Sequence, residues 1–360
     1  MFKEIITRGS DSQRTWALRT LEVTARFRGE RQALAELREM LPRVQTTGKN
    51  RFVYTADNGS SLPGRLMRSE GGLPSGDDAV DEAYDGSGAT YDLYWDIYQR
   101  NSIDNSGMRL DSSVHYLQGY DNAFWNGYQM VYGDGDEDLP AEERLFNRFT
   151  IALDVIGHEL THGVTSFEGN MTYYGQPGAL NESFSDVFGS LTKQYKLGQS
   201  AAEADWIIGA GLFTENVNGQ GIRSMKAPGT AYDDPVLGKD PQPAHMNDYV
   251  QTVEDNGGVH INSGIPNRAF YVTAAEIGGS AWLKAGQIWY VTLRDRLGQT
   301  SNFQNAADLT YEVAGELYGT NSAEQQAVKK GWDTVGISVG GSTQSGCLTA
   351  LANLFRSSSG

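Results

Sequence analysis

The chain has 360 residues, 39% of them hydrophobic, enough to bury a sizeable core and to make two domains the natural division. A formal charge of −16 argues against nucleic acid as a partner, because phosphates need a basic surface, and no apolar run is long enough to cross a bilayer. The single cysteine, Cys347, excludes an internal disulfide framework and any zinc site built from several thiolates.

Residues 1–50 hold ten Lys and Arg against six Asp and Glu, out of 29 and 45 in the whole chain, so a basic segment precedes an acidic body. The two should attract, although a solvated basic helix fits the same counts. Ser10-Asp11-Ser12 reads as a helix start, and Trp16, Leu18, Leu21, Val23, Leu34, Leu37 and Met40 recur in a helical rhythm up to Pro42, with Gly29 expected to divide the stretch in two. From Val44 to Tyr132 the texture turns Tyr- and Gly-rich. Segments such as Ala89–Trp95 and Ser112–Tyr116 predict antiparallel strands and turns. A long helix is expected over 140–166, then helices at 181–196, 200–213, 263–277, 281–297, 303–318 and 322–331. After Ile337 the chain is Gly- and Ser-rich and reads as a tail. Met1–Ser10 lacks the apolar core of a secretory signal.

Positions i and i+4 share a helix face, so both imidazoles of His158-Glu159-Leu160-Thr161-His162 can reach one ion. A hydrolytic zinc site uses three protein ligands and leaves a fourth position for water, which Glu159 could face as a base. With only five histidines in the chain, two at ligand spacing around a glutamate is an uncommon use of a scarce residue. Asn181-Glu182-Ser183-Phe184-Ser185-Asp186 follows Gly175-Gln176-Pro177-Gly178, where a turn would fold a second helix back on the first. Glu182 could then be the third ligand and Asp186 could accept the outer N–H of a histidine; an ordinary acidic helix face fits that segment too. In Asp255-Asn256-Gly257-Gly258-Val259-His260 the paired glycines allow close backbone approach, and His260 could donate to a developing oxyanion. By itself, a structural histidine is the better reading of that segment.

Together with Asn122-Ala123-Phe124-Trp125 and Gly221-Ile222-Arg223-Ser224-Met225, these segments stand in an order that resembles the thermolysin family over residues 47–337, and most closely its protealysin-type members with a short pro-segment. The resemblance implies an α+β fold, with a β-rich N-terminal domain, a mainly helical C-terminal domain and a zinc cleft between them. It implies zinc on His158, His162 and Glu182, with Asp186 supporting His158. Glu159 would activate water, Tyr173 and His260 would donate to the oxyanion, and Asp255 would orient His260. Arg223, Asn122 and the backbone at Ala123 would hold the peptide main chain. Phe146, Phe149, Val155, Ile208, Leu212 and Ile222 would surround the pocket for the residue after the scissile bond.

The activity so implied is zinc-dependent endopeptidase cleavage on the N-terminal side of bulky apolar residues, in a monomer made as a pro-enzyme, with peptides, proteins and its own pro-segment as partners and no nucleic acid or membrane. The expected division is 1–46 pro-segment, 47–157 and 158–337 catalytic domains, and 338–360 tail, with the pro-segment cut between Leu41 and Phe52. The resemblance favours secretion, while the lack of a classical leader leaves the cytoplasm as the alternative. Two departures from the family matter. The positions of its double calcium site hold Asp154, Lys193, Asp205, Ile207 and Ala210, so that site is expected to be lost, with calcium elsewhere left open and the aspartates of Gly133–Asp138 expected to be a solvated loop. No proline precedes Pro42, whereas relatives carry a proline-containing apolar motif near the start.

Overall fold

The computed structural model describes residues 1–38 and 45–340. Cys347, most of the expected tail and the first part of the expected cleavage span lie outside the described residues. Two helices open the chain, α1 (Phe2–Arg8) and α2 (Asp11–Arg38). Between them, the Ser10 amide donates to the Gln13 side chain (2.8 Å) and the Gln13 amide to Ser10 Oγ (3.3 Å), a reciprocal cap that starts α2 where the sequence predicts it. Gly29 does not divide the segment, because one exposed glycine costs a helix interior only about 1 kcal/mol. Gln13, Ala17, Thr20, Thr24 and Phe27 are buried at helical spacing, so one face of α2 lies against the rest of the molecule.

A five-stranded sheet follows, built from β1 (Arg51–Thr55), β2 (Arg65–Ser69), β3 (Leu110–Val114), β4 (Ala123–Trp125) and β5 (Gln129–Tyr132) in the order β2-β1-β3-β5-β4. The expected antiparallel arrangement is corrected to a mixed one, since β1–β3 and β3–β5 pair in parallel. Parallel neighbours need a crossover, and α3 (Asp78–Asp92), continued by a π-helical turn at Leu93–Ile97, supplies it. Ala89–Trp95, expected as strand, is the end of this crossover. Asp77 caps it by accepting from the amides of Ala79 and Val80, and Val80, Ala83, Ser87, Tyr91 and Tyr94 face inward, so packing overrides strand propensity.

The long helix expected over 140–166 begins only at Leu153: α4 spans Leu153–Phe167, preceded by short 3-10 turns at Ala141–Glu143 and Phe149–Ile151. Residues 145–149 cannot join it because their amides are bonded elsewhere, Asn147 to the Leu212 carbonyl (2.8 Å) and Phe149 to that of Gly133 (3.1 Å). The next helix, α5 (Gly175–Leu197), starts six residues earlier than expected. Pro177 fits inside its first turn, where amides have no helical acceptor. The helix expected at 200–213 is absent. Trp206, Gly209 and Gly211 all have positive φ, and the segment instead forms β6 (Ile207–Ile208), antiparallel to β7 (Arg223–Ser224). A second small ladder pairs β8 (Asp233–Asp234) with β9 (Gly238–Lys239). The remaining helices, α6 (Asp255–Asn262), α7 (Gly264–Ile277), α8 (Lys284–Asp295), α9 (Phe303–Tyr318) and α10 (Ala323–Thr334), follow the expected pattern to within a few residues, with α6 additional. One apolar cluster, from Ile5 to Ile337, is continuous through sheet and helices.

Candidate metal and catalytic site

The site begins with two glycines in mid-helix. A Cβ on Gly189 of α5 would fall 2.3 Å from the Asp154 carbonyl, and one on Gly157 of α4 would fall 3.0 Å from Gly189 Cα. With hydrogens at both places the helix backbones touch, and the carboxylate of Glu182 arrives beneath the histidine pair. His158 and His162 sit one helical turn apart, ring centroids 4.7 Å and planes 89° apart. Each Nε2 is 3.4 Å from a Glu182 oxygen, and all three side chains are buried.

The outer nitrogens are both fixed. His158 Nδ1 lies 2.7 Å from Asp186, which also accepts from Arg223 (2.6 and 2.8 Å) and Asn267 (2.8 Å). His162 Nδ1 lies 2.7 Å from Asn181 Oδ1 and 3.1 Å from Ser185 Oγ. Sequence reasoning found Asp186 but missed Asn181, Ser185 and Asn267. The first two belong to the same helical segment as Glu182, and their i, i+4 spacing, which puts them on one face, was the available signal.

Electrostatically the pocket is built for positive charge. Burial opposes protonation of His158, but Asp186 and then Glu182 outweigh it and push it up to about 10. Burial likewise opposes the charge on Glu182, yet His260 and His162 hold its carboxyl well below the usual range. Burial is overcome in the same way at Asp186 by Arg223 and His158. Carboxylates that balance an imidazolium so strongly can balance a divalent cation. Among the described residues the buried Glu182 Oε2 has no hydrogen-bond partner, an acceptor that suits a metal ion. Glu159 stands 4.0 Å from His158 Nε2, and its Oε2 accepts the Trp125 amide from β4 at 3.1 Å, which turns it towards the cleft.

Facing the histidines, Tyr173 OH donates to Glu182 and lies 3.2 Å from His260 Nε2. Asp255 holds His260 at two points, through Nδ1 (2.6 Å) and the backbone amide (2.9 Å). It reaches both because Asp255, Asn256, Gly257 and Gly258 are all left-handed, which coils the chain tightly at the start of α6. Asn122 precedes β4, the edge strand to which Ala123 belongs.

These groups surround a cavity of about 110 Å³ that also touches Phe149, Val155, Ile222 and Arg223. Phe146, Ile208 and Leu212 do not line it; they are buried behind that wall. Its roof is unexpected. Thr24 and Phe27 of α2 close it, with Asn122 donating to Thr24 Oγ1 (3.1 Å) and Phe27 stacked on Phe124 at 4.3 Å. At the other end, Phe2 packs on Phe146 at 6.3 Å, so the segment seats an apolar start without a proline.

Two further expectations meet the structure here. Lys193 Nζ lies 2.7 Å from Asp154, 3.0 Å from Asp205 and 2.9 Å from the Ile207 carbonyl, so three of the other four positions named for calcium converge on its ammonium. The loop Gly133–Asp138 is not simply solvated. Asp134 bonds His115, and buried Asp136 accepts the amides of Leu145 (2.7 Å) and Phe146 (3.0 Å).

A sheet and a helical bundle that meet at such a helix pair define a metallopeptidase, and comparison with known proteins gives the family. Residues 20–166 match the model described as thermolysin metallopeptidase, catalytic domain, and residues 169–337 the one described as thermolysin metallopeptidase, alpha-helical domain. The chain belongs to this family and is a thermolysin-like metalloprotease of α+β, two-domain architecture. It is similar to an extracellular metalloprotease of Pectobacterium carotovorum subsp. carotovorum, with 52% identity over 93% of this chain and 94% of the relative. It is also similar to the protease PrtS of Photorhabdus sp. (strain Az29), 50% identical over 81% of this chain and 77% of the relative. Among solved structures, the precursor of protealysin, a metalloproteinase from Serratia proteamaculans, matches with a TM-score of 0.83 and 51% identity, covering 94% of this chain and 97% of the other.

Proposed function

We propose that the protein is a zinc endopeptidase that cuts before bulky apolar residues, made with its N-terminal segment as a pro-segment. The observation that carries the reading is the carboxylate of Glu182 held between two imidazole nitrogens, each 3.4 Å away, with the general-base candidate Glu159 beside them. Glu182 is preferred to Glu159 as the third ligand, since it faces both histidines and Glu159 is engaged by β4. Bound zinc would polarise the scissile carbonyl and acidify water.

The chain's own groups do the rest. The β4 edge at Ala123, the Asn122 side chain and Arg223 hold the substrate main chain. Glu159 takes the proton of the attacking water and passes it to the leaving amine. Tyr173 and His260, the latter oriented by Asp255, donate to the oxyanion. Phe149, Val155 and Ile222, backed by Phe146, Ile208 and Leu212, accept the following side chain. Burying a Leu or Phe there is worth about 1.5–3 kcal/mol, enough to select such residues by one to two orders of magnitude.

Residues 1–46 act as the pro-segment, 47–157 and 158–337 as the two catalytic domains and 338–360 as a tail, with maturation between Leu41 and Phe52. The Lys193 ammonium takes the place of the double calcium site. The names of the relatives support action outside the cell on peptides and proteins; the protein is read as a monomer. Glu159→Gln should keep zinc while lowering kcat about a thousandfold, within the range for loss of a general base. New N-termini generated from an unfolded protein should begin with Leu, Phe, Ile or Val and vanish with chelator. Chelator-resistant cleavage would sink the reading.

A further inference from the structure

We propose that His115 is a positioning residue for the apolar specificity pocket, holding in place the segment that carries Phe146 and Phe149. The inference rests on the peptidase reading above. His115 follows β3 with φ of 52°, and its ring is clamped on both sides, Nδ1 to Asp134 (2.7 Å) and Nε2 to Asp77 (3.0 Å). Asp77 is the cap of α3, the crossover helix that packs against β1 and β3. Asp134 belongs to the loop on which the pocket wall is built.

That loop holds the wall through backbone and carboxylate bonds. The Gly133 carbonyl accepts from the Phe149 amide (3.1 Å), the Asp136 amide donates to the Phe146 carbonyl (3.0 Å), and the Asp136 carboxylate accepts from the amides of Leu145 and Phe146. A Cβ on Gly135 would overlap the Asn147 and Phe146 carbonyls at 2.5 and 2.7 Å, so loop and wall move together. The Gly133 amide donates to the Asn122 carbonyl (3.0 Å), which ties the same loop to the substrate-binding edge. The clamp around His115 thus fixes both the pocket for a side chain and the strand that aligns the main chain.

The clamp carries a pH signature. The hydrogen bond to Asp134 leads in pushing His115 up to about 9, against burial, with Asp77 adding to it. Its folded value lies above its ordinary one, so the paired, charged clamp is complete below about 6.5 and is lost as pH rises through about 9. Asp57, paired with Arg65, also faces the imidazole and favours the same charged state. A second brace to α3, Arg148 with Glu82, Asp78 and Glu137, is formed by a guanidinium that stays charged throughout, so it is silent in this window.

The test uses enzyme matured from the full chain, comparing peptides with Leu or Ala after the scissile bond. In His115→Asn, whose side chain tolerates the left-handed backbone but cannot span both carboxylates, kcat/KM on the Leu peptide should fall about tenfold through KM, near the lower end of what a pocket contributes, with the Ala peptide scarcely changed. For the natural enzyme, KM for the Leu peptide should rise above pH 9, and the variant should lack that limb. If His115→Asn does not fold, Asp134→Asn, which keeps the acceptor and drops the charge, should move the limb to lower pH. An unchanged Leu-to-Ala ratio and an unchanged alkaline limb, in an enzyme that still cleaves, would overturn the role of His115 alone. No cleavage by the natural enzyme would overturn the peptidase reading.

Discussion

At Lys193 the proposal that an ammonium stands in for bound calcium can be tested on one side chain. Its ammonium is 12% exposed and faces Asp154, which is 1% exposed, so the pair shares its burial. Removing one partner of such a pair typically costs more than the pair itself gains, because the other charge stays in a poorly solvated place. Lys193→Met should therefore lower stability by about 3 kcal/mol at neutral pH, read from the denaturant midpoint. Burial already raises Asp154 above its usual range, and in the variant only the Gly209 amide is left to offset that. The deficit should shrink in acid, where Asp154 is neutral in both states. Any stabilisation of the natural protein by added calcium should be unchanged in Asp205→Asn; a calcium-dependent rise that this substitution abolishes would mean that the ammonium does not fill that role.

At the scale of elements, α4 and α5 are held at a separation that only glycine permits. Alanine is the better helix former by about 1 kcal/mol, but a Cβ at Gly189 would sit 2.3 Å from the Asp154 carbonyl, and overpacking costs about 1–3 kcal/mol. Gly189→Ala should accordingly reduce stability and weaken zinc binding at least tenfold in a metal titration; unaltered affinity would mean that close approach does not set the ligand geometry. The sequence exposes the candidate metal-binding pair because its information is local, two histidines one turn apart on an amphipathic helix. The amphipathic helices at 303–318 and 263–277 are legible for the same reason. What escapes is decided by distant partners: 145–149 reads as helix until Leu212 and Gly133 claim its amides, and Ala89–Trp95 reads as strand until the parallel sheet requires a crossover. Asn181, Ser185 and Asn267 escape because their roles lie in contacts with other segments, and nothing in their residue types announces it.

For the molecule as a whole, the opposite charges of the first 50 residues and the remainder suggest attraction, yet among the described residues charge is a minor part of the docking seen. The ion pair Lys3–Glu254 is 67% and 64% exposed, and such pairs are worth little. The less exposed contacts are Ser10 and Gln13 on Glu143 and Thr24 on Asn122, all part-buried, with Thr24 on Tyr120 and Phe27 against Phe124 buried. Phe27→Ala should loosen α2 by about 2 kcal/mol, roughly a thirtyfold rise in hydrogen exchange over residues 11–38 of the full chain, whereas about 0.5 M salt should change it far less. Greater sensitivity to salt than to that substitution would restore charge as the leading force.

The roof over the cleft is a helix, and that has a consequence for the enzyme's own safety. A protease that grips extended chains along a strand edge needs free amides and carbonyls on whatever it is to cut. Between Thr24 and Phe27 those groups are spent inside α2, so the part nearest the blade offers side chains only. In the proposed pro-enzyme, the scissors are sheathed in material whose weave they cannot catch.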